Sequence, residues 1–250
     1  MNVITAKDYA DLNRIAAQHI ADVVARKPDA AIVLATGNTP MGAYAELARM
    51  ARSSARTGSF DPSRIQPFQL DGYLGIALDD DRSLFGWLKR AFLDPLGIAQ
   101  ERVVMLPDDT SDPEAACRAY DAAVEQVGGF DLSVLGLGPN GHLGFNEPPS
   151  PADAPSRRVT LTEASLLSNA PYWGGLEVGL DRVPREAITC GMKQLLGAKQ
   201  TLLLVSGAHK REILQAVLHG PMTPDVPASL LRMATHVTVI ADETAHGFGR

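Results

Sequence analysis

Asn140, His142, Asn146 and Glu147 fall within one short run, LGLGPNGHLGFNEP at 135–148. A histidine next to a carboxylate in a tight loop is the usual acid–base pairing, because the carboxylate orients the imidazole. A hydrogen-bonded loop histidine would need the same residues. The run also contains G-x-G-x-x-G at Gly136, Gly138 and Gly141, the spacing of a dinucleotide-binding turn. Such a turn must open a long helix, and Gly144, Pro148 and Pro149 leave no room for one. The glycines therefore read as a backbone loop that presents the polar side chains.

Three other stretches carry residues suited to chemistry. Asp71 closes the run FQLD, where strand register predicts a side chain at the top of a sheet. A carboxylate there can take a proton from carbon beside a carbonyl, although a turn or capping aspartate has the same local sequence. In ATGNTPMGAYAEL, Thr36 to Thr39 follow a strand, Thr39 stands where an N-cap belongs and Pro40 suits the first helical position. The free N–H groups of that helix start form a natural phosphate seat, and equally an ordinary capped turn. In VSGAHKREIL, Lys210 and Arg211 occupy a first helical turn, where positive charge opposes the macrodipole and a bound anion would offset the cost. The bland alternative is that both point into water. His209 stands beside them.

The elements that must position these residues alternate. β-rich runs lie at 30–36, 65–71, 102–106, 130–136, 201–206 and 236–241, with helical periodicity near 7–26, 41–54, 82–93, 113–127 and 208–219. This alternation predicts an open, Rossmann-like α/β fold, a mainly parallel sheet with helices on both faces, spanning 1–250 as one domain. In such sheets, ligands gather at the carboxyl ends of strands, and every candidate loop above follows a predicted strand. The stretch 148–184 differs. It packs four prolines into 148–155, carries Arg157 and Arg158, and reads as a partly helical lid.

Composition narrows the partners. With 250 residues, of which 45% are apolar and 21% charged, the chain can bury a sizeable core. A net charge of −6 without a basic block argues against nucleic acid or an anionic membrane surface, and no apolar run approaches a membrane span. Cys117 and Cys190 sit in apolar periodic segments without metal-ligand spacing, so they read as reduced core residues of a cytoplasmic protein, with no zinc site.

With these residues placed, the sequence resembles the glucosamine-6-phosphate deaminase/isomerase family over nearly its whole length. ATGNTPMGAY is similar to the family's phosphate loop, FQLDGYLGI to its F-x-x-D-E-Y segment, GLGPNGHLGFNEP to its G-x-G-x-[DN]-G-H-x-x-x-N-E-P loop and SGAHK to its phosphate-lysine segment. The resemblance implies a deaminating isomerase that turns an amino-sugar 6-phosphate into the ketose 6-phosphate and ammonia. Asp71 would move the proton between C1 and C2, and His142, oriented by Glu147, would assist ring opening. Gly37, Asn38, Thr39 and Lys210 would hold the phosphate. No metal or organic cofactor is implied, the partner is a small sugar phosphate, and a homo-oligomer stays open.

The departures are as informative. Asn140 stands where many glucosamine-type members have aspartate, and N-G-H-L-G resembles the galactosamine-6-phosphate branch, which leaves both substrates open. Gly72 replaces the family's usual glutamate. The phosphate-gripping arginine falls at Pro171, so Arg185, Arg157 or Arg158 is expected to substitute. Val159 replaces a lysine associated with an allosteric activator, so that regulation is not expected. Two alternatives remain: a 6-phosphogluconolactonase, which PREAIT at 184–189 faintly resembles, and a non-catalytic sugar-phosphate sensor. The sensor would carry a helix-turn-helix, for which the early start of the match leaves no expectation.

Overall fold

The computed structural model of the chain describes residues 1–54, 60–175, 177 and 179–247. Its strands are β1 (Asn2–Ala6), β2 (Ala31–Leu34), β3 (Gln66–Gln69), β4 (Asp71–Tyr73), β5 (Leu132–Gly136), β6 (Arg157–Thr160), β7 (Glu186–Thr189), β8 (Thr201–Val205) and β9 (Val237–Asp242). The α-helices are α1 (Tyr9–Arg26), α2 (Asn38–Ser54), α3 (Leu84–Leu88), α4 (Asp94–Leu96), α5 (Pro113–Gln126), α6 (Glu163–Asn169), α7 (Met192–Leu196), α8 (Arg211–His219) and α9 (Glu243–His246).

Among the described residues, six strands form a parallel sheet in the order β1-β9-β8-β5-β2-β3. The apolar runs AIVL and TLLLV are buried along their whole length, as a sheet covered on both faces requires. Alternation along the strands sends side chains to two cores. Ile32, Leu34, Leu132 and Val134 pack with α1 and α2 through Leu12, Ile20, Tyr44 and Leu47. Val33, Leu135, Leu203 and Val239 pack on the other face with Tyr120 of α5 and Leu214 of α8. The predicted open α/β architecture is the one observed.

Several boundaries differ from expectation, for local reasons. The run at 65–71 is not one strand. Leu70 O accepts from Cys190 N at 2.8 Å, which draws the chain away from the main sheet, and Asp71 opens β4 in a second, antiparallel sheet ordered β4-β7-β6. Asp71 therefore begins a strand instead of closing one. The run at 102–106 makes a single parallel bridge, Val104 to Phe68, because Leu106 N then turns to the Gln69 side chain. Helix α2 starts at Asn38, so Thr39 lies inside it and is not its cap; Gly37, at φ 105°, makes the turn from the strand. The helical stretch predicted at 82–93 is α3 followed by a π-turn at Lys89–Leu93 and then α4. The edge strand β1, and the β6 and β7 strands, carry no clean apolar alternation and were legible only in three dimensions.

Within the predicted lid segment, Leu176 and Val178 lie outside the described residues. The remainder contributes β6, α6 and short turns. A third apolar cluster, including Tyr73, Phe145, Leu166 and Trp173, joins it to the small sheet.

Candidate active site

The strand order reverses direction between β2 and β5, since the chain runs outward to β3 on one side and through β8 to β9 on the other. The loops after β2 and β5 must therefore part, and a crevice opens at the carboxyl ends. A cavity of about 600 Å³ occupies that place. Its wall brings together Thr36, Gly37, Asn38, Thr39, Asp71, His142 and Lys210 from segments far apart in sequence.

The β5 loop is folded around its glycines. A Cβ on Gly138 would lie 2.2 Å from His142 Cδ2 and 2.3 Å from Nε2, so the imidazole rests directly on a bare backbone. Gly144, at φ 59°, brings the loop within reach of the small sheet, where a Cβ would meet Thr189 Oγ1 at 2.9 Å and Asp71 Oδ2 at 3.4 Å. Thr189 in turn pairs with Asp71 across β4 and β7, and its hydroxyl accepts from Phe145 N at 3.0 Å. Asp71 and His142 thus reach one cavity from two sheets.

His142 Nδ1 stands 3.6 Å from Glu147 Oε2 and 3.3 Å from Ser165 Oγ, which leaves Nε2 as the nitrogen turned away from Glu147. Glu147 is buried and richly held: Thr162 donates its hydroxyl at 3.0 Å, and Asn140 its amide at 2.9 Å. Burial pushes the Glu147 carboxyl up, but the imidazole of His142 and donors from Ser165 and Asn140 outweigh it and hold it at about 2. Asp71 behaves oppositely. Burial, with the charge of Asp108 second, pushes it up to about 7. Two carboxyls of one cavity region are thereby driven apart, one fixed as an anion and one able to gain or lose a proton near neutrality.

At the other end of the cavity, α2 begins at Asn38, its first residues Asn38 and Thr39 line the wall, and Tyr9 donates to Asn38 O at 2.8 Å to fix the turn. Lys210 donates to Leu137 O at 2.7 Å, and burial pushes its ammonium below the usual lysine value. No carboxylate is within ion-pair distance of Lys210 among the described residues. A helix start beside a half-buried, uncompensated cation is a seat for a dianion.

The arginines expected to share that seat are elsewhere. Arg185 pairs with Asp181 at 3.1 Å on the surface, Arg158 pairs with Glu186, and Arg157 donates to Asn146 and Ser150 to brace the loop. Arg185 therefore does not line the cavity, because it sits exposed in the turn ahead of β7, where Asp181 holds it. Arg82 does line it, stacked 4.5 Å over Trp173. Pro171 and Tyr172 of the predicted lid segment line the same wall, and Val159 packs at the third apolar cluster. Asp108, Arg82, Thr162, Ser165 and Thr189 were missed in the sequence. Only the Ser-Leu-Phe cap at Ser83, next to Arg82, offered a local signal.

Comparison with known proteins agrees with this geometry. A family model described as glucosamine-6-phosphate isomerases/6-phosphogluconolactonase matches residues 6–240. A glucosamine-6-phosphate deaminase of Clostridium perfringens is 35% identical over 245 residues, 98% of both chains. A solved monomeric glucosamine-6-phosphate deaminase superposes with a TM-score of 0.92 at 35% identity, covering all of each chain. The 6-phosphogluconolactonase of Trypanosoma brucei shares the fold, with a TM-score of 0.78 at 17% identity over 100% of this chain and 98% of its own. Matched by the family model over residues 6–240 and by full-length relatives at 35% identity, the chain belongs to the family of glucosamine-6-phosphate isomerases and 6-phosphogluconolactonases.

Proposed function

We propose that this chain is a deaminating isomerase that converts glucosamine 6-phosphate and water to the ketose 6-phosphate and ammonia. The observation that carries the reading is the cavity itself, with a proton-exchanging carboxyl and a histidine–glutamate pair at one end and a dianion seat at the other. The names of the full-length relatives support the same substrate.

In this reading Thr36 to Thr39 and Lys210 bind the phosphate and set the sugar along the cavity. His142, its Nδ1 turned to Glu147 and Ser165, uses Nε2 to take the C1 hydroxyl proton and deliver it to the ring oxygen, which opens the ring. Asn140 keeps Glu147 aligned. Asp71 takes the proton from C2 and returns it to C1, while the C2 amine gives up one proton and the C1 oxygen gains one, leaving an imine at C2 beside a C1 hydroxymethyl group. Water adds there, and ammonia leaves. A carboxyl pushed up to about 7 suits a group that must both accept and return a proton.

The segment 148–184 acts as the lid of this single catalytic domain, since Ser168, Asn169, Pro171 and Tyr172 wall the cavity. A full-length relative described as monomeric supports a site built from a single copy. The cytoplasm is the expected compartment, with Cys117 and Cys190 both buried free thiols. No helix among the described residues is long and apolar enough to cross a membrane.

The test is a panel of glucosamine 6-phosphate, galactosamine 6-phosphate and 6-phosphogluconolactone, read by ammonia and acid release. Ammonia from glucosamine 6-phosphate and none from the unphosphorylated sugar is the expected result. Faster release from the galactosamine compound would reassign the substrate, and acid from the lactone alone would overturn the reading.

A further inference from the structure

Asp108 is fully buried, and no step above uses it. One glutamine ties it to the strand of Asp71. Gln69 Nε2 donates to the backbone carbonyl of Asp71 at 2.9 Å and to Asp108 Oδ1 at 3.3 Å, while Gln69 Oε1 accepts from Leu106 N at 3.3 Å. Burial pushes the Asp108 carboxyl up, against donors from Gln69, Ser83 and the Leu84 backbone. An ionisable group buried this deeply is costly, and such groups cluster where their charge serves a site.

The location of that carboxylate is specific. A Cβ on Gly72 would lie 1.9 Å from Asp108 Oδ1 and 2.9 Å from its Cγ. The φ of Gly72 is not positive, so space alone demands glycine there. Successive residues of a strand face opposite ways, and Asp108 therefore lies behind the strand whose front carries Asp71. The carboxylate fills the volume that a side chain at position 72 would need.

We infer that Asp108 is a positioning residue for Asp71: delivered from a separate segment into the place of a side chain at 72, it holds the Asp71 backbone through Gln69 and sets a second carboxyl directly behind the strand that carries Asp71. The inference rests on the proposed role of Asp71. The other titratable groups that sense Asp71 are Tyr44 of α2, Tyr73 of β4, Tyr120 of α5 and Cys190 after β7, all raised by burial and so uncharged near neutrality. Asp108 also senses Asp109, and His142 shares the cavity with Asp71. Asp108, itself pushed up to about 7 by burial, is the neighbour whose charge acts on Asp71.

The first measurement needs no turnover. The Asp71 carboxyl carbon, identified by its loss in Asp71→Asn, is titrated by ¹³C NMR in the substrate-free full chain, in wild type and in Asp108→Asn. Asparagine keeps the shape and the contact from Gln69 while removing the charge. The midpoint of Asp71 is expected to fall by about half a pH unit or more in the variant. The acid limb of kcat/KM is expected to move to lower pH by the same amount, because ionised Asp71 takes the proton. An unmoved midpoint would overturn the inference. A moved midpoint in a protein that deaminates no hexosamine phosphate would instead refute the proposed function and leave the link between the carboxyls standing. Should Asp108→Asn not fold, the exchange variant Gly72→Asp/Asp108→Gly returns a carboxylate to the same volume from the other segment. Recovery of the wild-type Asp71 midpoint supports the inference, and a midpoint lower by half a unit in the folded exchange variant overturns it.

Discussion

The side-chain amide of Asn140 donates to Glu147 Oε2 at 2.9 Å, while its Oδ1 accepts from the backbone N–H of His142 at 3.3 Å. Residue 140 therefore addresses the carboxylate of the pair, not the imidazole ring. In Asn140→Asp, a second carboxylate would face Glu147, which would lose a donor and gain a like charge. Glu147, held at about 2 in the fold against an ordinary 4.5, contributes stability that is present above 4.5 and lost as pH falls through 2. The variant raises that carboxyl's hold on a proton, so its deficit is fully present at high pH and shrinks on acidification. Asn140→Asp is expected to melt below wild type at pH 7, with a smaller gap at pH 3, inside the window between 2 and 4.5. Equal gaps at the two pH values would show that the carboxylates do not oppose each other.

Asp71→Asn removes the proton carrier while keeping the shape of β4. kcat is expected to fall by about 10²- to 10⁴-fold with KM changed only slightly. Steady-state kinetics on glucosamine 6-phosphate decide this, and near wild-type turnover would return Asp71 to a structural role.

Gly138→Ala tests the seat of the imidazole. The three atoms nearest to the new methyl all belong to the His142 ring, the closest at 2.2 Å, and a side chain can yield. kcat/KM is expected to drop by about tenfold or more because the reacting nitrogen is displaced, with a thermal midpoint close to wild type. Unchanged kinetics in the folded variant would mean that Nε2 takes no part.

Asp71 and Asp108 both titrate at about 7 in the fold against an ordinary 3.8, so between those values the folded chain binds more protons than the unfolded one. The stability they contribute is fully present below about 4 and lost as pH rises through 7. Asp108→Asn is therefore expected to lose less thermal stability than wild type between pH 5 and pH 8. A loss as large as that of wild type would show that Asp108 is not titrating in this window.

Much of this protein is written locally. Apolar runs of four or five residues separated by helical periodicity specify a covered parallel sheet, because that pattern buries its backbone polar groups in no other way. The loop holding Asn140, His142 and Glu147 was legible for the same kind of reason: its glycines and prolines exclude a helix, and its polar residues lie within eight positions of each other. The expectation of an anion seat at Thr36 to Thr39 and Lys210 came from helix-end electrostatics. What only the tertiary structure decided depends on contacts between distant segments. Leu70 turns out of the main sheet because Cys190, 120 residues later, takes its carbonyl. Arg185 was a reasonable candidate by charge, yet the turn before β7 leaves it on the surface beside Asp181. Asp108 gave no signal at all, since the space it fills is defined by the missing side chain of Gly72, and a vacancy in one segment can be matched to a carboxylate in another only once the chain has folded.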